Sequence, residues 1–239
     1  MAMRRFTDGV SGVSSVNPLA ELNRLDPTLW RIWQEDWMTY DLAQTDTPEW
    51  TYTISSAGTD TIVTPGDLKF LAVNASDDYQ LQLDHGHFFL TAGKKAIYET
   101  RIKIVKGGGT IGEQGFVVGL TSVQVDANFM DGPPPTTRAF DDGWGFLSYD
   151  ATTDIVAFQG EADTFSTEVG CTTYADDTWM VLSIYWDGTT SHFYKDDLKV
   201  CEITTNPPTS VVTPVLFFGT GQAQTDAFYC SYIFVATER

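Results

Sequence analysis

The sequence is short of positive charge, of cysteine and of long apolar runs, and each shortage removes a class of function. Fourteen Lys and Arg face 32 Asp and Glu, a formal charge of −18 at pH 7. A polyanion meeting such a surface is repelled, so nucleic acid is not an expected partner. No apolar run reaches the roughly 18 residues that a membrane-spanning helix requires, and the opening MAMRRFTDGVSGVSSV lacks the apolar stretch of a secretory signal. Neither membrane insertion nor export by that route is expected. The three cysteines, Cys171, Cys201 and Cys230, leave at least one unpaired and show no zinc spacing. Three buried thiols in a reducing compartment are the plain expectation. Histidine is scarce too, and His85 and His87, which share a strand face, have no third ligand nearby.

What is present is apolar and aromatic. With 42% hydrophobic and 13% aromatic residues, the chain has the means to bury a large core. Its 239 residues suit one β-sandwich. Residues 1–47 read differently from the remainder. Residues 1–40 carry four cations and five anions, so the acidity belongs to the body. Asn17-Pro18 and Asp26-Pro27 place capping side chains before prolines, which predicts short helices over 18–25 and 27–38 behind an extended arm. The second carries Leu29, Trp30, Trp33 and Trp37, too much apolar surface for a solvated helix. These residues are candidates for capping the sandwich or docking on a protein partner.

From residue 48 to 239 the pattern turns to period two with turn signals at short intervals, which predicts an antiparallel two-sheet sandwich. Twelve strands are expected, among them His87–Thr91, Ala96–Lys106, Gly115–Ser122, Gly143–Tyr149 and Thr178–Trp186, the last with no plainly polar face. Gly107–Gly109, Asp187-Gly188 and Lys195–Asp197 read as hairpin turns. The polar stretch Asp126–Asp142, with three consecutive prolines, reads as a surface excursion.

The segments YETRIKI, GFVVGLTS, DDGWGFLSYDATTDIVAFQGE, DDTWMVLSIYWDGTTSHFYKDDLKV and FYCSYIFVA are similar to concanavalin A-like domains, laminin G-like ones above all, over about residues 48–237. The resemblance implies a jelly-roll sandwich and says little about activity. The arm joined to such a body also resembles virion structural proteins of tailed bacteriophages. That likeness implies a capsid decoration, cement or head-fibre protein, partnered by capsid or other virion subunits and compatible with self-association. It places the protein in the virion, assembled in the host cytoplasm.

Glycosidases of the superfamily carry Glu-x-Asp-x-x-Glu on one strand, supplying nucleophile and acid/base. The corresponding stretch here, Glu161-Ala-Asp163-Thr-Phe-Ser166, ends in a hydroxyl that cannot act as a general acid at neutral pH. No catalytic residue is therefore assigned, and the expectation is a non-enzymatic protein. Asp126, Asn128 and Asp131 gather oxygen ligands near Gly132, as a calcium site needs, without EF-hand spacing. No other cofactor is implied. Trp144, Tyr174, Trp186 and Tyr194 are candidates for stacking on a surface glycan. The sequence thus supports a virion structural role first, a lectin-like adhesion module as the alternative, and a glycoside hydrolase behind both.

Overall fold

A computed structural model describes residues 27–37, 50–54, 59–63, 66–73, 78–84, 88–108, 114–122, 130–131, 137–138, 140–148, 152–162, 164–220 and 225–239. The expected helix over 18–25 lies outside them, as do His85, His87, Asp126 and Asn128. Among the described residues there is no helix. The strands in chain order are β1 (Trp30–Glu35), β2 (Trp50–Ile54), β3 (Thr59–Val63), β4 (Asp67–Ala72), β5 (Asp78–Leu83) and β6 (Ala96–Val105). Next come β7 (Gln114–Thr121), β8 (Met130–Asp131), β9 (Thr137–Arg138), β10 (Gly143–Ser148), β11 (Asp154–Glu161) and β12 (Thr164–Thr173). The last five are β13 (Met180–Trp186), β14 (Ser191–Lys195), β15 (Leu198–Ile203), β16 (Thr213–Thr220) and β17 (Asp226–Glu238).

Two antiparallel sheets form the sandwich. The larger runs β15-β14-β13-β6-β17-β4-β3, with β1 also paired to β17, and the smaller runs β12-β11-β10-β7-β16-β5-β2. The jelly roll expected from the alternating pattern is therefore the observed fold. Between the sheets, alternate residues of every central strand meet in one core that includes Phe70, Tyr79, Phe116, Phe218 and Phe228. Phe70 stacks on Tyr79 at 5.2 Å and on Phe228 at 5.9 Å, and such pairs each add about 0.5–1.5 kcal/mol beyond their burial.

The helix expected over 27–38 is instead a strand. Trp30–Glu35 pairs antiparallel with Ile233–Glu238, and period two separates Trp30 and Ile32 from Trp33. Unmet backbone groups on the β17 edge outweigh helix propensity here. Past the strand, the Glu35 carboxylate accepts from the backbone N–H groups of Asp36 and Trp37 and from Trp50 Nε1. This turn seats Trp37 against Trp50 at 5.5 Å, while Trp33 lies 5.6 Å from the same ring. The three tryptophans assigned to a docking arm therefore pack within the chain's own sandwich, and only Leu29 stays open, 58% exposed.

Two further expectations are corrected. The Gly107–Gly109 connection joins β6 of the larger sheet to β7 of the smaller one, so it crosses between layers and closes no hairpin. Cys171 on β12 and Cys201 on β15 form a disulfide with Cα atoms 5.5 Å apart. Each strand is an outer edge of its own sheet, so the bridge ties the layers together along one flank. Sequence spacing concealed the pair because its partners meet only through tertiary structure. Cys230 is the one free thiol among the described residues, and burial pushes its pKa up to about 12. The other two turns hold: Asp187-Gly188 joins β13 to β14, and Asp196 and Asp197, both at positive φ, join β14 to β15.

Candidate functional site

The four aromatics expected to stack on sugars are all interior. Trp144 lies in the core and donates from Nε1 to Ser191 Oγ at 2.7 Å. Tyr174 packs edge-on against Phe116, and burial raises its hydroxyl pKa to about 12. Trp186 donates to the Thr91 carbonyl, and Tyr194 is buried with Trp30, Tyr185 and Phe234 on the outer side of the larger sheet. Along β13 both faces are buried from Met180 to Trp186, which the doubly apolar pattern of Thr178–Trp186 had indicated.

The outer face of the smaller sheet divides in two. Toward β10 and β11 it is apolar: Val117, Leu147, Val156, Phe158, Val215 and Phe217 form a second buried cluster with Phe140. Toward β5 it is polar. Gln80 and Gln82 stand at alternate positions on β5, between the core residues Tyr79, Leu81 and Leu83. Gln80 Nε2 donates to Gln82 Oε1 at 3.2 Å, and Gln82 Nε2 donates to Thr121 Oγ1 at 3.1 Å and to the Ser122 carbonyl at 3.0 Å. This row climbs from β5 to the end of β7.

At that rim Ser122 meets the start of β10. Its N–H donates to the Asp142 carbonyl, and its Oγ accepts from the backbone N–H groups of Asp141 and Asp142. Asp142 is only 5% exposed, yet its Oδ1 has no hydrogen-bond partner among the described residues. A buried carboxylate oxygen left unpaired costs about 1–3 kcal/mol or more, so such an atom needs an ordered water, an ion or a ligand group to complete its set. The connection carrying the candidate calcium ligands leaves from this rim after Ser122 and returns at Phe140. Asp131 is placed by its backbone, in β8 opposite Thr137. Oxygen donors of this kind suit a hard cation.

Gln80, Gln82, Thr121, Ser122 and Asp142 were not singled out in the sequence. The alternation Tyr-Gln-Leu-Gln-Leu on β5 was the signal available, and it indicates a strand with a polar face without saying what the face meets.

The acidic stretch resembling a glycosidase motif falls on a turn. Glu161 ends β11, Ala162 has φ +46°, and Thr164 begins β12, so Glu161 and Ser166 do not share one strand. Glu161 accepts from the Thr209 hydroxyl, and Ser166 Oγ pairs with Thr205 Oγ1 at 2.6 Å. His192 approaches Asp187 at 3.1 Å on the surface, whereas Ser191 turns inward to Trp144 and Gln159, so these three residues do not form a Ser-His-Asp set.

No protein-family profile matches the sequence, and no curated protein does. Solved structures do. The carbohydrate recognition domain of Emp47p matches with TM-score 0.62 at 12% identity, over 88% of this chain and 98% of that one. An endo-1,3-β-glucanase from Streptomyces sioyaensis matches with TM-score 0.59 at 11% identity, over 89% and 98%. The carbohydrate recognition domain of Emp46p in its potassium-bound form matches with TM-score 0.56 at 12% identity, over 84% and 94%. The expectation of a non-enzymatic protein is corrected here: endo-1,3-β-glucanases share this architecture, so lack of activity does not follow from it. At these identities the likeness establishes the fold alone, and the chain is a jelly-roll sandwich of the kind found in carbohydrate recognition domains and β-1,3-glucanases.

Proposed function

We propose that this chain is a carbohydrate-binding domain that receives its glycan at the rim of the smaller sheet, beside Gln82, Thr121, Ser122 and Asp142. The observation that carries the reading is the buried Asp142 oxygen without a partner among the described residues, at the end of a row of amide and hydroxyl groups. Sugar hydroxyls donate to a carboxylate and accept from amides, and a rigid strand end holds both kinds of group at fixed positions. The fold shared with two carbohydrate recognition domains supports it. A cation held by the oxygen donors of Asp126, Asn128 and Asp131 would supply positive charge against their carboxylates.

The virion reading depended on tryptophans free to dock on a capsid, and those rings pack on the chain's own sandwich, Trp30 and Trp37 buried and Trp33 partly so. The virion location rests on the same resemblance and gains no support from the fold. A disulfide between Cys171 and Cys201 suits an oxidising compartment better than a reducing one.

Screening the full chain on a neutral glycan array, with calcium or with chelator, tests the proposal. Binding to a defined glycan, weakened tenfold or more by Asp142→Asn and by chelator, is expected. No glycan retained above background would overturn it. Hydrolysis is a second reading, favoured by the glucanase among the similar structures. New reducing ends from a β-1,3-glucan, lost in Asp142→Asn, would establish it.

A further inference from the structure

The outer face of the larger sheet carries a second surface of different chemistry. In register, Lys69 on β4 lies opposite Tyr229 on β17, and Tyr229 lies opposite Lys103 on β6. Met180 pairs with Ile102, so continuing that ladder by one residue sets Trp179 beside Lys103. Four neighbouring strands thus present cation, ring, cation, ring in one row. The contacts confirm the order: Lys69 Nζ sits 5.5 Å from the Tyr229 centroid, Lys103 Nζ sits 4.8 Å from Tyr229 and 5.4 Å from Trp179, and the two rings meet edge-on at 6.3 Å. Arg101, two residues before Lys103, lies 4.5 Å over Trp179. All five side chains are half-buried.

In a chain of net charge −18, three of the 14 basic residues gathered on one open face are a local reversal of sign. Asp177 takes part of Lys103, at 2.6 Å. Among the described residues Lys69 and Arg101 have no ion pair, and their stems lie along ring faces while their charges remain available. We infer that this row binds an anionic polysaccharide, one bearing carboxylate or sulfate groups on alternate sugars.

Spacing selects this occupant. Lys69 and Lys103 lie two strand separations apart, about 10 Å, whereas an extended acidic peptide repeats same-side charges every ~7 Å. A sugar carrying charge on every second ring repeats it over a disaccharide, and the ring between two charges presents an apolar C–H face to Tyr229 or Trp179. The inference stands apart from the neutral-glycan rim, which is on the other sheet.

Affinity electrophoresis of the full chain in gels containing hyaluronate or unsulfated chondroitin, anionic polysaccharides with a carboxylate on every second sugar, or containing neutral dextran or poly-L-glutamate, tests it. Retardation by the anionic polysaccharides, reversed by added salt, is expected. Lys69→Gln, Arg101→Gln and Trp179→Ala should each weaken it at least fivefold while thermal unfolding stays cooperative, and Asp142→Asn should leave it unchanged. Arg101→Lys, which keeps the charge and loses the planar fit over Trp179, should fall between wild type and Arg101→Gln. Retardation no stronger than in neutral dextran would overturn the inference. So would equal retardation by poly-L-glutamate, which would point to an acidic peptide, or insensitivity to Trp179→Ala.

Discussion

Ser191 joins the two layers of the sandwich through a buried polar chain. It accepts from Trp144 Nε1 and donates to Gln159 Oε1, and Gln159 Nε2 in turn donates to the Thr205 carbonyl at 2.8 Å. Ser191→Ala removes one hydroxyl and strands two buried groups, Trp144 Nε1 and Gln159 Oε1. It should cost about 2–6 kcal/mol, taking each orphaned group at about 1–3 kcal/mol, read as a lower midpoint in urea unfolding with an unchanged slope. Glycine is fixed elsewhere by approach distance. Gly119 and Gly145 face each other across β7 and β10, and a Cβ on Gly119 would lie 2.4 Å from the Trp144 carbonyl oxygen. Backbone cannot step aside as a side-chain tip can, so Gly119→Ala should cost about 3 kcal/mol or more, measured in the same way.

Among elements, β1 and the disulfide fasten the edges. The disulfide closes a loop of sequence separation 30 and ties the β12 edge to the β15 edge. A Cys171→Ser, Cys201→Ser double variant should therefore lose roughly 3–4 kcal/mol under oxidising conditions, and reductant should bring the wild type to the variant's unfolding midpoint. Central strands were legible in the sequence because β6, β7, β10 and β13 alternate cleanly or are apolar on both faces. β1 and β12 were missed for different physical reasons. β1 offers dense apolar residues that suit a helix or a strand equally, and only the β17 edge decides between them. β12, rich in Thr, pairs with β11 on one side only, so it has no wholly buried face to advertise. The expected strand His87–Thr91 reduces to a single bridge between Phe88 and Val212. The rim was illegible for a related reason. Gln82, Thr121 and Asp142 are far apart in sequence, and their meeting depends on β5, β16, β7 and β10 lying side by side.

At the scale of the whole molecule, burial of phenols and a thiol ties stability to alkaline pH. Tyr232 donates to Glu99 Oε1 at 2.7 Å; burial, and then the neighbouring Glu99 carboxylate, push its pKa far above the usual phenol range. Burial likewise raises Tyr98, and it lifts Tyr174 and Cys230 to about 12. A raised pKa favours the neutral form in the folded state. The stabilisation is whole below the unfolded values, 10.0 for tyrosine and 9.0 for cysteine, and it is lost as pH climbs through about 12. Unfolding free energy from urea titrations should thus be insensitive to these groups up to pH 9 and fall progressively above pH 10, with tyrosinate absorbance rising in step with unfolding.

The rim of the smaller sheet is the central claim, and its most direct test is equilibrium affinity for the best neutral glycan, compared between wild type, Asp142→Asn and Trp179→Ala. Affinity should fall at least tenfold in Asp142→Asn and hold in Trp179→Ala, with both variants folded by near-ultraviolet circular dichroism. Equal affinity in wild type and Asp142→Asn would contradict it.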